Sequence, residues 1–432
     1  MSQQALPSKL CGNMIKKSLY ITNIFFLYLA VWYVPGLLSY FFFSEHFTHY
    51  YNLDVDINFW NILWLFLIIA SMYMGAALLS PLQSYNLHFP MVLGRSIILL
   101  STLLFLFLSI SFFIHFSSHF RHSDRLSNVP SWVSVLWLLK PISYVILLSI
   151  YLTALNRGYL NMFARSILII LFFAFGLSIT GSLQVIAPLI ILYVFYCLKK
   201  DSFKNNSKLS IFSMLLGIFL TFFAGILVLL VGVGSKVGYD AVFSLDFVSV
   251  VETLTSYLPV LTPRIATSTV SFLHWSTNSM SDNVVNFDLV QSFLDTFRFR
   301  LCSLMGDGCA GFDLIDTVNR FNYLHVFRNH AERAGASPGL FASIFFAGGP
   351  FVGLVVISLL FGLVVNLISK NVVNITRKYI VFYFPIPYFV MYFLEAPLNI
   401  FYLIDPAFFL FIFFVFYMFS FKFDKLFGVK FD

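Results

Sequence analysis

The stretch from Leu340 to Ile368, LFASIFFAGGPFVGLVVISLLFGLVVNLI, holds no charged side chain. About 20 apolar residues in a helix cross the ~30 Å of bilayer hydrocarbon, so this stretch predicts a membrane span. Its first part contains Gly348-Gly349-Pro350, and Ser337-Pro338-Gly339 stands just before it. Both are helix breakers, so the span is expected to enter irregularly, which is tolerated at membrane depth only beside protein or a wet cavity.

The same reading applied outward finds nine further stretches: Ser18–Phe43, Ile57–Leu79, Ser96–Phe116, Ser131–Thr153, Leu160–Ser178, Leu183–Leu198, Leu209–Val233, Tyr379–Leu394 and Ile400–Phe421. The first resembles a signal peptide in having Lys16 and Lys17 before it, but no small-residue cleavage site follows, which predicts an uncleaved anchor. Ala241–Pro263 contains Asp246, Glu252 and Pro259 and is expected at the interface instead. Composition agrees with this layout. Of 432 residues, 59% are hydrophobic and 10% charged, against roughly 25% charged in a soluble domain. The mean hydropathy is +0.88. Basic residues are too few and scattered for a nucleic-acid groove, and the unbroken Phe-rich runs lack the period-two alternation of an outer-membrane barrel. The expected fold class is all-α, a polytopic helical membrane protein of about 10–12 transmembrane helices.

Charge sets the expected orientation. With the N-terminus cytoplasmic, 16 of the 26 basic residues fall on inner connections and span ends. The outer short loops then hold only Arg121 and Arg125, as the positive-inside rule requires. Both termini are cytoplasmic on this topology. The chain divides into an N-terminal membrane bundle over 1–233, one large external loop over 234–339, and a C-terminal membrane bundle over 340–432.

That loop carries ten of the 19 acidic residues, together with Lys236 and six arginines: Arg264, Arg298, Arg300, Arg320, Arg328 and Arg333. Arginine presents a planar fork that matches phosphate and diphosphate, where lysine is a point charge. Any one of these arginines can instead pair with the loop's own carboxylates. The densest cluster runs from Arg328 through His330, Glu332 and Arg333 to Ser337-Pro338-Gly339. It sets a carboxylate, an imidazole and two guanidinium groups at the membrane surface. A helical Arg328–Glu332 surface pair is the plain alternative, four residues apart.

Cys302 and Cys309 share the external loop, with Met305-Gly306-Asp307-Gly308 between them, and a disulfide across that turn competes with two free thiols. Lys140 lies midway along an expected span, where an ammonium needs a partner: a lipid phosphate, or a carboxylate such as Glu395 or Asp405. Asp54 and Asp56 have the spacing of a divalent-metal pair, but also of ordinary partners of a helix N-terminus. The chain contains no Walker loop, dinucleotide fingerprint, HExxH or GxSxG, and no zinc spacing.

The extremely hydrophobic chain with one large external loop in its second half resembles the Wzy-type O-antigen (oligosaccharide repeat-unit) polymerases of Gram-negative bacteria. The block His330 to Gly339 leading into the Gly-Gly-Pro-bearing span resembles the end of the large loop in these polymerases and in the related O-antigen ligases. The resemblance implies a GT-C type glycosyltransferase of the inner membrane, metal-independent and without a cofactor. It implies undecaprenyl-diphosphate-linked oligosaccharide as substrate, with a Wzx-type flippase and a Wzz-type chain-length regulator as partners, and a periplasmic site for lipopolysaccharide biosynthesis.

Chemistry assigns roles within that expectation. Breaking a sugar–diphosphate bond builds charge on the leaving group, which fixed guanidinium groups stabilise, and the attacking hydroxyl needs a proton acceptor. Arg328, Arg333 and Arg264 are expected to hold the diphosphate, with Arg320 and Lys140 as further binding residues and Arg298 and Arg300 behind them. Glu332 or His330 is expected to serve the acceptor hydroxyl. Tyr257, Trp275, Tyr323 and Phe327 are available either to stack on sugars or to fill the loop's own core. The competing functions are an O-antigen ligase of the same architecture and a non-enzymatic lipid-linked oligosaccharide flippase.

Overall fold

The structure is a computed structural model and describes residues 8–51, 57–81, 252, 255, 266–279, 287–305, 316–327, 336–372, 385–403, 405 and 407–412. Every regular element among them is helical: α1 (Ser8–Phe42), α2 (Ser44–Tyr51), α3 (Phe59–Leu78), α4 (Thr267–Asn278), α5 (Leu289–Met305), α6 (Val318–Val326), the short α7 (Gly339–Ala342) continuing as a 3-10 turn (Ser343–Phe346), α8 (Pro350–Val372), α9 (Pro385–Glu395) and a 3-10 turn at Pro397–Phe401. Among the described residues three stretches are long and apolar enough to cross a membrane: Gly12–Phe42, Phe59–Leu78 and Pro350–Ser369. The spans expected between Ser96 and Val233 lie outside the described residues.

The chain forms two compact units, one of residues 1–89, 258–374 and 392–420, the other of residues 90–257, 375–391 and 421–432. In the second, the Thr255 hydroxyl donates to the Glu252 carbonyl at 2.9 Å, and Phe389, Val390 and Met391 are buried.

The first unit is organised by α3 and α8. Asn58 and Asn61 start α3 reciprocally: the Asn58 side chain accepts from the Asn61 amide at 3.3 Å, and the Asn61 side chain accepts from the Asn58 amide at 2.7 Å. Two otherwise orphaned amides of the first turn are thereby satisfied. Asn61, Trp64, Ile68, Met72 and Gly75 then recur at helical spacing on the buried face, while Phe59, Ile62, Phe66, Met74 and Leu78 are exposed. In lipid an exposed Phe costs nothing, so the inner face is marked by small and polar residues instead.

At the crossing the two backbones touch. A Cβ on Gly75 would stand 2.2 Å from the Ser358 carbonyl oxygen, and one on Gly362 would stand 2.3 Å from the Gly75 carbonyl oxygen. Around this contact the Ser358 hydroxyl donates to Ser71 at 2.7 Å, and the Asn366 amide donates to the Ala76 carbonyl at 2.9 Å. Ser18 of α1 donates to the Asn366 side-chain carbonyl, so one buried asparagine ties three helices. Buried polar groups in lipid need such partners, since no water replaces them.

The long α8 begins at Pro350, not at Leu340. Gly348 and Gly349 take φ of +83° and +91°, a region costly for residues with a Cβ, and Pro350 starts the new helix with its φ preset. The segment before them folds back against α8: a Cβ on Gly353 would lie 1.7 Å from the Ile344 carbonyl oxygen.

Candidate functional site

Of the described helices in the 234–339 region, α4 is the one that packs closely on membrane-length helices. α4 stands against α1 and α3. The Asn61 amide group points at the Leu273 carbonyl (3.0 Å) and at the Ser276 (2.6 Å) and Thr277 (3.0 Å) hydroxyls. At the other end of α4, Thr269 donates to the Tyr33 carbonyl at 3.1 Å, two residues before Pro35, where proline disturbs the helical ladder of α1. The Tyr33 hydroxyl accepts from the Phe341 amide at 3.2 Å, and Gly339, at φ +74°, fits only because a Cβ there would meet both Tyr33 and Ser268.

α6 is placed by Thr317, whose side chain accepts from the Arg320 amide at 3.2 Å, and by Asn322, which is fully buried. Asn322 accepts from the Trp275 indole at 2.7 Å, and its amide is 2.9 Å both from the Ser271 hydroxyl and from the Ala336 carbonyl. The Ala336 amide in turn donates to the Asn319 carbonyl at 3.0 Å. The chain therefore leaves this site just after α6 and returns to it at Ala336. The cluster Arg328, His330, Glu332, Arg333 falls between these two anchored flanks and lies outside the described residues.

The return flank is tied further. The Ser337 hydroxyl donates to the Glu395 carbonyl at 2.6 Å. Beyond Glu395 the 3-10 turn leads to Tyr402, whose hydroxyl accepts from the Val318 amide at 3.2 Å and lies 3.0 Å from the Ser292 hydroxyl of α5. Asp405 accepts from the Asn399 side chain and the Ala407 amide, each at 2.8 Å, and so caps the helical stretch that follows. Desolvation by the surrounding protein, with the charge of Asp405 adding to it, raises the Glu395 carboxyl from 4.5 to about 7. The side chain as a whole still remains exposed. A carboxyl of this kind exchanges protons near neutrality.

Of the residues expected from sequence, Arg264, Lys140 and Cys309 also lie outside the described residues, as do Asp54, Asp56 and Tyr257. Arg320 sits half-buried on α6 and Arg298 is exposed on α5. Partial burial pulls the Arg300 guanidinium below its ordinary range. Cys302, near the end of α5, is disulfide-bonded. Trp275, Tyr323 and Phe327 are buried, and Trp275 packs with Phe346 at 5.0 Å between ring centres, so these aromatics fill the core. No group of three or more His, Cys, Asp or Glu among the described residues could hold a metal ion.

Sequence reasoning missed Asn322 and Tyr402, and read Ser337 only as part of a helix-breaking triplet. Each is an unremarkable polar residue whose partners are distant in the chain; a lone buried-type asparagine within the aromatic run Phe321–Phe327 was the only available signal. Comparisons with protein-family models, with curated proteins and with solved structures return no match.

Proposed function

We propose that the chain is an O-antigen-type polymerase, a metal-independent GT-C glycosyltransferase of the bacterial inner membrane. In this reading it transfers a growing glycan from undecaprenyl diphosphate to a newly delivered lipid-linked repeat unit, at the periplasmic face. The observation that carries the reading is the fixing of both flanks of the segment from Arg328 to Arg333: Asn322 of α6 holds Ala336 and is bonded to Ser271 of α4, the helix that packs on α1 and α3, while Ser337 is bonded to the Glu395 carbonyl. A lipid-linked diphosphate presents its charge at the bilayer surface, and an arginine-rich segment held there is the group that chemistry asks for.

The transfer joins the acceptor hydroxyl oxygen to the anomeric carbon of the donor glycan and breaks that carbon's bond to the diphosphate. Undecaprenyl diphosphate leaves with the bonding electrons, its charge met by Arg328, Arg333 and Arg264, with Arg320 as a further contact. The hydroxyl proton passes to Glu332 or His330. Glu395, with a carboxyl near neutrality beside the same flank, is a third acceptor for that proton. A flippase that delivers the repeat unit and a chain-length regulator are the partners this reaction requires.

The lipopolysaccharide of a strain lacking this chain tests the reading. A single repeat unit on the lipid core is the expected result. Core with no repeat unit would assign the chain to the ligase or the flippase class, and an unchanged ladder would remove it from glycan assembly.

A further inference from the structure

α5 is built inside out. Asp288 starts it, accepting from the amides of Val290 and Gln291, both at 3.0 Å. Its buried positions are small and polar: Ser292 is 3% exposed and Thr296 0%. Its open positions are large and apolar: Val290 is 69% exposed, Leu294 39%, Phe297 39% and Leu301 44%. At 3.6 residues per turn these four fall within about 60° of arc, a continuous stripe along three turns. Along one edge of the stripe run Gln291, Asp295 and Arg298, linked by a 2.7 Å hydrogen bond from Gln291 to Asp295 and a 4.0 Å ion pair from Arg298.

We propose that this stripe docks on the outer-leaflet lipid surface, with α5 lying along the bilayer and Arg298 at the level of the lipid phosphates. Three observations favour lipid over a protein partner. The helix belongs to the same compact unit as the three membrane-length helices, whose exposed faces are also apolar, as at Phe59, Phe66 and Phe351. Seventeen residues make about 25 Å of helix, short of the ~30 Å hydrocarbon, and Asp295, Arg298 and Arg300 forbid a crossing, so the helix fits the interface alone. Arg298, side chain 73% accessible and paired with Asp295 at 4.0 Å, stands beside the stripe, so a charged edge borders the apolar face as it does in helices that lie at the headgroup level. The inference does not depend on the reaction proposed above.

Its mechanical consequence concerns the site. Through Ser292 and Tyr402, α5 is bonded to the start of α6, whose far end carries the chain into the arginine segment. Lipid docking would hold that framework at a fixed depth.

The test uses the full-length protein in nanodiscs of phosphatidylethanolamine and phosphatidylglycerol, with benzoyl-phenylalanine incorporated singly at positions 290, 294, 297, 301, 291 and 298. Photolysis followed by mass spectrometry should give phospholipid adducts at 290, 294, 297 and 301 and at least five-fold fewer at 291. Protein–protein adducts at the stripe, from a second copy or any other chain, would overturn the proposal, as would a stripe that yields no lipid adduct. A second measurement uses natural side chains: Phe297→Trp should be quenched by brominated lipids at least twice as strongly as Gln291→Trp. Equal quenching of the two variants would also overturn it.

Discussion

Ser337 donates its hydroxyl to the backbone carbonyl of Glu395, 58 residues further along the chain, at 2.6 Å. This one bond joins the flank of the arginine-bearing segment to the connection between the last two helical stretches. A carbonyl that accepts it is not waiting for a helical partner, because Glu395 ends α9. Ser337→Ala should therefore cost about 1 kcal/mol of stability, the usual net worth of such a bond. On the proposed function it should also shorten the glycan ladder while the protein still accumulates in membranes. Immunoblotting beside lipopolysaccharide gels measures both.

Asn322→Ala would leave the Trp275 indole and the Ala336 carbonyl without their partner. Buried groups left unpaired cost about 1–3 kcal/mol each, so a loss of roughly 2–6 kcal/mol is expected. A lower Tm of the detergent-solubilised protein, and faster proteolysis near Ala336, would register it.

The crossing of α3 and α8 leaves no room for a methyl group. Gly75→Ala at this crossing, and Gly353→Ala where α8 meets the turn at Ile344, would push a Cβ to within 2.2 Å and 1.7 Å of carbonyl oxygens and should destabilise by about 1–3 kcal/mol or more. Gly12→Ala is the control: nothing lies within 4 Å of its position, and alanine in a helix is worth about 0.5–1 kcal/mol over glycine. Thermal denaturation should lower the first two variants and leave or raise the third.

The Glu395 carboxyl titrates near 7 in the folded protein against 4.5 ordinarily. The folded state thus holds a proton that the unfolded chain releases, and this contribution to stability is full below pH 4.5 and lost as pH rises through 7. Glu395→Gln keeps the group neutral. It should flatten the decline in Tm between pH 4.5 and about 7, where wild type is expected to lose stability.

Arg328→Ala and Arg264→Ala, on the proposed function, should each cut polymerisation by about 10²–10³ while leaving membrane accumulation intact, the scale for loss of one fixed group that meets developing charge. Glu332→Gln and His330→Ala, assayed separately, distinguish the proton acceptor. Normal ladders from both arginine variants would defeat the assignment of diphosphate binding.

The helices α3 and α8 were legible because hydrophobic length alone specifies a crossing, and the break at Gly348-Gly349-Pro350 because glycine and proline act locally. The inward packing of α4 was not legible. Its partners Tyr33 and Asn61 stand more than 200 residues earlier, and nothing in a polar stretch such as Thr267–Asn278 announces them. The stripe on α5 was hidden differently. Phe293 and Phe299 spread its apolar residues around the helix, so only exposure in the folded chain separates the open face from the packed one. For the arginine cluster the sequence supplies residue types, and the structure supplies the bonds at Ala336 and Ser337 that tie down its return flank.

Asn61 also sets a schedule for biosynthesis. Its acceptor on Leu273 lies 212 residues downstream. At roughly 5–20 residues per second, ribosomes need about 10–40 seconds to make that distance. During this interval the newly inserted hairpin of α1 and α3 keeps an amide without its final acceptors. Nascent chains stopped before Thr267 should accordingly be degraded faster than chains released after Asn278.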